Sequence, residues 1–200
     1  MKIIVGREFS QTVTRAFRDK GHEAYSCDIL PTEGNPDWHF QEDIITVLER
    51  NIFDLGIFHP PCTYLCASGL HWNTRRPERA RLTEEALSFV KKLLSADIPK
   101  ICLENPIGRI NTAIRKPDQY IQPNDFGHDA AKKTGLWLKG LPLLQKPKGK
   151  YVEPRIVNGK KRWGNQTDSG QNALLPSKNR WKLRSKTYQG IAIAMAETWG

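Results

Sequence analysis

A chain of 200 residues is long enough for one domain with a substantial hydrophobic core, and we treat residues 1–200 as a single domain. Its composition, 38% hydrophobic and 26% charged, is that of a globular protein and excludes an intrinsically disordered chain. No apolar run approaches the ~20 residues that cross a bilayer, and the apolar run at the N-terminus is too short for a signal peptide. We therefore expect a soluble protein of the cytoplasm.

Short apolar runs rich in β-branched residues alternate with segments of helical spacing. The apolar runs predict strands over residues 2–5, 24–28, 53–58 and 100–104, with two further candidate strands over 119–122 and 134–138. The helical spacing predicts helices over residues 12–20, 43–50, 77–96 and 188–199. Residues 142–179 have little periodicity, which predicts a loop-rich insertion.

Alternating strands and helices indicate right-handed βαβ units, so we predict a Rossmann-like, mostly parallel sheet with helices on both faces. Ligands bind such sheets outside the carboxyl ends of the strands. Polar groups follow four of the predicted strands, namely Glu8, Asp28, the His59–Cys62 turn and the Glu104-Asn105 pair. The sequence therefore predicts a functional site at this edge of the sheet.

The net charge is concentrated in one part of the chain. Residues 146–186 contain twelve Lys and Arg residues against two acids, so this segment accounts for the entire net charge of +10. Two interpretations are open for such a segment: a surface that binds a polyanion, or a solvated loop.

The four cysteines, Cys27, Cys62, Cys66 and Cys102, are interpreted as free thiols because the chain has no secretory signal. No compact group of Cys and His residues offers the ligands of a zinc site, so we predict no bound metal.

Cys62 directly follows two prolines at the end of a predicted buried strand, where a stiff turn can present a thiol to a pocket. A free cysteine is more often a small core residue, but Glu104 at the end of the next strand favours a catalytic role. A thiolate that adds to C6 of a pyrimidine makes C5 electron-rich, and a carboxyl group can stabilise the product through N3 and the exocyclic amine.

The sequence resembles the cytosine-C5 DNA methyltransferases, in the reduced form found in bacteriophage and prophage genomes. HPPC at 59–62 resembles the Pro-Cys nucleophile motif of that family, and LENP at 103–106 resembles its Glu-Asn motif. The resemblance implies the class I S-adenosylmethionine-dependent methyltransferase fold, with Cys62 attacking C6 and Glu104 holding N3 and the amine. It also implies a role in protecting phage DNA from restriction.

The resemblance further implies that S-adenosylmethionine is the cofactor. The first loop, VGREFSQTVTRAF, occupies the place of the family's Gly-rich turn, although it holds one glycine and an acidic residue. Asp28 corresponds to the residue that binds the ribose hydroxyls, and Asp43 to the residue that contacts the adenine amine. The cofactor-binding residues implied in this way are Gly6, Glu8, Phe9, Asp28, Asp43 and Pro60.

On the substrate side, the resemblance implies that KKTGLWLKG at 132–140 binds the target cytosine and its phosphate, with Lys133 as the candidate. The basic segment 146–186 takes the place of a target-recognition region, and residues 187–199 form the closing helix. DNA is the implied partner, as a duplex with a flipped cytosine. The implied substrate-binding residues are Pro61, Asn105, Lys133, Arg162 and Arg180.

Two alternatives remain open. The short basic segment also suits an enzyme that modifies C5 of a free pyrimidine nucleotide or of single-stranded nucleic acid. The altered glycine loop also suits a catalytically weak homologue that only binds nucleic acid.

Overall fold

The computed structural model describes all residues from Met1 to Gly200. Seven strands form one sheet in the order β3-β2-β1-β4-β5-β7-β6. The strands are β1 Lys2–Gly6, β2 Glu23–Cys27, β3 His39–Phe40, β4 Leu55–Phe58, β5 Lys100–Pro106, β6 Gln119–Ile121 and β7 Thr134–Lys139. The first five strands are parallel, and β7 runs antiparallel to both of its neighbours.

Seven α-helices accompany the strands. They are α1 Thr12–Arg18, α2 Ile44–Arg50, α3 Ala67–Leu70, α4 Pro77–Leu94, α5 Arg109–Ala113, α6 Arg180–Ser185 and α7 Gln189–Trp199. None of these helices combines the length and the apolar character that spanning a membrane would require.

Helices cover both faces of the sheet. Successive strand residues point to opposite sides, so each strand contributes to the core on either face. In β1, Ile3 and Val5 belong to a core cluster with residues of α1 and α7. Ile4 belongs to a second cluster with residues of α2, α4 and α5. The predicted fold class, a Rossmann-like, mostly parallel sheet with helices on both faces, is confirmed.

The basic segment, expected to be rich in loops, contains a β-hairpin that the sequence analysis did not predict. A second sheet consists of the hairpin of β8 Arg155–Val157 and β9 Lys160–Arg162. Its turn is formed by Asn158 and Gly159, whose φ angles are 50° and 72°. An Asn-Gly pair suits a two-residue hairpin turn because both positions tolerate positive φ, so this signal was present in the sequence.

Gly6, at the end of β1, is required by packing. A Cβ atom there would lie 2.8 Å from the Phe58 side chain and 2.9 Å from the Ile44 side chain. Both of these side chains are buried in the core between the sheet, α2 and α4. Gly6, which the resemblance implies as a cofactor-binding residue, therefore makes room for two hydrophobic side chains.

We expect Gly6→Ala to lower the free energy of unfolding by about 1–3 kcal/mol, because the added methyl overpacks a close-packed core. Urea denaturation measures the change. Ile52→Ala is the control, since that side chain is 86% exposed and its removal should change stability by less than about 0.5 kcal/mol. Equal unfolding midpoints for Gly6→Ala and the wild type would contradict the packing role.

Candidate active site

Two motif-bearing turns lie side by side at the carboxyl edge of the sheet. The register of β4 and β5 pairs Phe58 with Leu103, so His59 and Glu104 follow in neighbouring positions. His59 Nδ1 lies 2.8 Å from Glu104 Oε2. Asn105 Nδ2 donates to the Pro60 carbonyl at 2.7 Å. The Pro-Cys and Glu-Asn turns are thus joined by two hydrogen bonds.

Cys62 is exposed at the start of the loop that leads into α3. Its carbonyl accepts hydrogen bonds from the amides of Leu65 at 3.1 Å and Cys66 at 2.9 Å, which form a tight turn. Partial burial of the thiol raises its pKa and nearby Cys66 raises it further, whereas the ammonium of Lys132 lowers it. The thiol is therefore accessible, and at neutral pH it is mostly protonated.

The other cysteines are less suited to nucleophilic chemistry. Cys27 and Cys102 are free and buried. Burial raises the pKa of Cys27 to about 12 and raises the pKa of Cys102 well above its usual range. Cys66 is half-buried, and its backbone pairs with that of Gly108. Cys62 is the cysteine that this edge of the sheet presents most openly.

Glu104 is a largely buried carboxylate that stays ionised. Burial alone would raise its pKa, but Lys132, the hydrogen bond from His59 and the Thr134 hydroxyl outweigh burial and hold the pKa at about 2. At neutral pH Glu104 therefore presents an anionic hydrogen-bond acceptor beside the exposed thiol.

Lys132, and not Lys133, is the lysine at this site. Lys132 influences the pKa of both Cys62 and Glu104, and its Nζ donates to the Arg184 carbonyl at 3.3 Å. Lys133 is exposed and lies over the ring of Tyr120, with Nζ 4.6 Å from the ring centroid. The structure therefore places Lys132 beside Cys62 and Glu104, and the substrate-binding role expected for Lys133 stays a prediction.

Asn105, Pro60 and Pro61 were all expected to contact ligands, but they lie in different environments. Asn105 is buried and holds the Pro60 carbonyl, so its side chain supports the neighbouring turn and does not face open substrate space. Pro60 is itself buried, whereas Pro61 is exposed next to Cys62. Of these three residues, only Pro61 is placed where a substrate could reach it.

Glu8 also departs from the role expected for it. Its carboxylate accepts hydrogen bonds from the Val13 amide at 2.6 Å, the Thr14 amide at 3.1 Å and the Thr14 hydroxyl at 2.7 Å. These amides belong to the first turn of α1, whose free N–H groups attract an anion. Glu8 thereby caps the N-terminus of α1 with its own carboxylate. Burial raises the pKa of Glu8, while His59 and these hydrogen bonds lower it.

The first loop is held by Gln11, a residue that the sequence gave no reason to single out. Gln11 is fully buried, and its amide donates to Ser26 and to the Asn35 carbonyl and accepts from the Asn35 amide. Arg7 and Gln11 have φ angles of 65° and 56°. Glycine usually occupies such left-handed backbone positions, whereas in this loop two residues with long side chains occupy them.

Phe9 joins the first loop to the basic segment. Its buried ring meets Trp181 of α6 edge to face, with 6.1 Å between ring centroids. Lys182 lies over the same ring, and Lys186 forms an ion pair with Glu33, 2.5 Å away. Phe9 is therefore covered by the protein's own α6 in this arrangement.

Asp28 and Asp43, the two aspartates expected to bind the cofactor, lie in different environments. Asp28 is buried at the carboxyl end of β2, where it accepts a hydrogen bond from the Leu30 amide at 3.1 Å. Asp43 is exposed and caps α2 by accepting from the Ile45 amide at 2.8 Å. Asp43 also lines a shallow groove between α2 and α4 that includes no residue of the first loop. The structure thus brings Asp28 close to the predicted cofactor region and leaves Asp43 at its margin.

The basic segment is attached to the loop that carries Lys132. The Asn165 side chain accepts from the Ala131 amide and donates to the Ala131 carbonyl, both at 2.9 Å. The Gly164 amide donates to Asp129 at 2.7 Å. The attachment is close in sequence to Lys132 and fixes this part of the segment beside the site.

Arg162 and Arg180, the arginines expected to contact substrate, are both partly buried. Arg162 donates to the carbonyls of Asp168 and Lys161, so it stabilises the hairpin and its neighbouring turn. The Nε of Arg180 is buried without a partner. Arg162 is thus engaged with backbone carbonyls of its own segment, and a substrate-binding role for Arg162 and Arg180 stays a prediction.

The loop after Cys62 is tied down by an arginine. Arg79 donates to the carbonyls of Thr63 at 2.8 Å and Gly69 at 3.2 Å, and it lies over the ring of Tyr64. The loop also packs on the turn after β5, where a Cβ at Gly108 would lie 1.8 Å from the Leu65 carbonyl oxygen. This glycine is required by close backbone approach.

A narrow cleft lies between the first loop, His59 and the segment that follows α6. Its lining residues are Arg7, Glu8, Phe9, Ser10, His59, Ser185, Lys186 and Thr187. The cavity has a volume of about 10 Å³, roughly the space that one water needs. The lining is polar, and a larger ligand can enter only if residues 185–187 move outward.

Comparisons with known proteins find matches among solved structures. No family model matches the sequence, and no curated protein matches it. Among solved structures, a candidate DNA modification methyltransferase encoded within an E. coli prophage aligns with a TM-score of 0.43 and 16% identity. The alignment covers 80% of this chain and 53% of that one, so this chain spans about half the length of the matched structure. The fold class rests on the strand order and directions of the sheet.

We expect iodoacetamide to alkylate Cys62 more slowly at pH 7 than an ordinary exposed cysteine and faster as the pH rises, because only the thiolate reacts and the pKa of Cys62 is raised. Lys132→Gln removes the charge that lowers this pKa, so alkylation at pH 8 should be roughly threefold slower. Lys133→Gln is the matched control and should leave the rate unchanged. Mass spectrometry of peptides separates Cys62 from Cys66, and equal effects of the two substitutions would contradict the assignment of Lys132.

Proposed function

We propose that this protein is an S-adenosylmethionine-dependent DNA methyltransferase that acts on C5 of cytosine. The observation that carries the proposal is the joining of the two turns: His59 bonds Glu104, Asn105 bonds the Pro60 carbonyl, and the exposed Cys62 thiol follows at once. A nucleophile and a buried carboxylate at adjacent carboxyl ends of parallel strands suit covalent activation of a pyrimidine.

Cys62 is the proposed nucleophile. The thiol proton passes to solvent, the thiolate sulfur forms a bond to C6, and the electron pair of the C5–C6 double bond moves onto C5. C5 would take its methyl group from S-adenosylmethionine, which would leave as S-adenosylhomocysteine. The C5 proton then passes to water, the electron pair of that C–H bond restores the C5–C6 double bond, and the S–C6 bond breaks to return the thiolate. The pKa of the thiol is raised even with Lys132 nearby, so a bound substrate must favour the thiolate.

Glu104 is proposed to hold the base. Its ionised carboxylate accepts a hydrogen bond from the exocyclic amine, and from N3 once N3 carries a proton. That interaction is strongest when positive charge develops on the ring, so it stabilises the adduct more than the free cytosine.

The cleft beside His59 is the proposed site for the amino-acid end of S-adenosylmethionine, which when bound supplies an electrophilic methyl group. The polar lining fits that group: Arg7 and Lys186 suit a carboxylate, and His59 Nε2 is a buried nitrogen without a partner. Asp28, which is buried just after β2, is the proposed partner of the ribose hydroxyls. Entry requires an outward movement of residues 185–187.

DNA is the proposed substrate because the basic segment that packs beside Lys132 and Phe9 carries the chain's whole net charge of +10. Tyr151, Ile156 and Trp181 are exposed on this segment. Such side chains can stack on bases or fill the gap left by a flipped cytosine, and the surrounding lysines can bind phosphates.

We expect the wild-type protein, incubated with methyl-labelled S-adenosylmethionine and duplex DNA, to place the label on cytosine C5. Cys62→Ser should abolish transfer, and Glu104→Gln should slow it by roughly 10²-fold or more. Cys66→Ser is the matched control and should stay within about twofold of the wild type. Digestion to nucleosides and mass spectrometry identify the product, and transfer that survives Cys62→Ser would refute the nucleophile.

A free pyrimidine nucleotide or single-stranded nucleic acid remains the second candidate substrate. The exposed Trp181 and Tyr151 favour it, since aromatic rings bind unpaired bases well. Competition of labelled transfer by duplex DNA, single-stranded DNA and dCMP distinguishes the substrates. Binding of DNA without transfer to any of them would favour a homologue that only binds nucleic acid.

A further inference from the structure

The β8–β9 hairpin of the basic segment carries charge of one sign. Residues 155–162, RIVNGKKR, contain four Lys and Arg residues and no acidic residue. Each strand is three residues long, and the two strands are joined by the Asn158-Gly159 turn. The hairpin is thus a short, wholly basic ribbon on the surface of the protein.

One face of the hairpin is fastened to the protein. The register pairs Arg155 with Arg162, and side chains that lie directly opposite each other point to the same face of an antiparallel pair. Arg155 donates to the carbonyls of Trp163 at 3.0 Å and Gln166 at 2.9 Å. Arg162 donates to the Asp168 carbonyl at 3.1 Å. Both arginines therefore hold this face against the turn that follows β9.

The opposite face of the hairpin is open. Side chains alternate between the two faces along a strand, so the pair of Ile156 and Lys161 points away from that turn. Ile156 is 63% exposed, and Lys160 and Lys161 are exposed. Neither lysine belongs to an ion pair of the structure. The hairpin therefore presents two uncompensated positive charges and one apolar side chain to its surroundings.

The shape of the hairpin suits one groove of duplex DNA. The major groove, about 12 Å wide, admits a two-stranded β-ribbon, whereas the minor groove, about 6 Å wide, is little wider than the ~4.8 Å between the two strands. In the major groove, lysines reach the phosphates of the groove walls, and an apolar side chain can contact base edges such as the thymine methyl.

The hairpin is attached beside the candidate active site. The turn that follows β9 contains Asn165, whose side chain forms two hydrogen bonds with the backbone of Ala131, and Gly164, whose amide donates to Asp129. Lys132 directly follows these contacts in the chain. DNA held by the hairpin would therefore lie next to the loop that brings Lys132 to the site.

We propose that the β8–β9 hairpin lies in the major groove of duplex DNA, with Lys160 and Lys161 on phosphates and Ile156 against base edges. The proposal rests on the proposed function and deepens it by naming the element that holds the duplex. The charge complementarity between this wholly basic ribbon and the DNA backbone favours the occupant, and the width of the ribbon favours the groove.

The test is the affinity for a fluorescently labelled duplex, measured by anisotropy over a range of salt concentrations. We expect Lys160→Gln/Lys161→Gln to weaken binding about tenfold or more at physiological salt. The slope of log affinity against log salt should fall by about two, because each lost lysine–phosphate contact lowers it by about one. Ile156→Ala should weaken binding roughly threefold and keep the slope, because an apolar contact releases no counterions.

The matched comparison is Lys148→Gln/Lys150→Gln. These two lysines are exposed in the same basic segment and lie outside the hairpin, so the double substitution removes the same charge. It should weaken binding by no more than about threefold, since the lost charges act on the DNA only from a distance. An equal loss for the two double variants would mean binding by diffuse charge and would overturn the role of the hairpin.

The groove is tested with two small competitors of the same duplex. Methyl green occupies the major groove and netropsin the minor groove, so methyl green should displace the wild type at lower occupancy than netropsin does. Competition by netropsin that is at least as strong as competition by methyl green would overturn the placement in the major groove.

The failure of the hairpin assignment is distinct from the failure of the proposed function. Wild-type affinity in Lys160→Gln/Lys161→Gln, or a wild type that binds no duplex DNA, overturns the hairpin assignment. A wild type that binds duplex DNA through the hairpin and transfers no methyl group overturns the proposed function alone. Thermal unfolding checks that each variant is folded, and these exposed substitutions should leave the unfolding midpoint unchanged.

Discussion

The pairing of β4 with β5 is the constraint on which the rest of the site depends. It places a turn with two prolines beside a turn with a glutamate, and the His59–Glu104 and Asn105–Pro60 hydrogen bonds fix one against the other. A carboxylate as buried as Glu104 is tolerated only when it is paired and hydrogen-bonded. The same partners that make its burial possible therefore set the position of the Pro-Cys turn.

Burial raises the pKa of the Cys62 thiol and of Glu8, whereas the pKa of Glu104 is lowered. Lys132 lowers the pKa of both Glu104 and Cys62, but burial has the larger effect at the thiol and the smaller one at the glutamate. Glu8 is more deeply buried than Glu104, and the hydrogen bonds from α1 and the charge of His59 do not outweigh its burial. Lys132, His59 and Thr134 together keep Glu104 ionised, so displacing Lys132 would affect both halves of the proposed chemistry.

The sequence predicted the fold class because buried strands and amphipathic helices have distinct periodicities. It also predicted that the Pro-Cys and Glu-Asn turns lie at the same edge of the sheet, because parallel strands end at one edge. The sequence did not predict contacts that depend on the side to which a side chain points or on a partner that is distant in the sequence. Lys132 and Lys133 are both lysines and point to different sides. The Glu8 carboxylate accepts hydrogen bonds from a helix that begins four residues later, and Gln11 bonds Asn35 in another loop. No local pattern specifies such partners.

The basic segment contacts the elements of the site at several points. Asn165 pairs with the backbone of Ala131, Lys132 contacts the Arg184 carbonyl, and Trp181 covers Phe9. Ser185 and Lys186 belong to the same segment and line the cleft beside His59. If the segment binds a polyanion, as the proposed function requires, the bound polyanion would therefore lie next to the residues that cover this cleft.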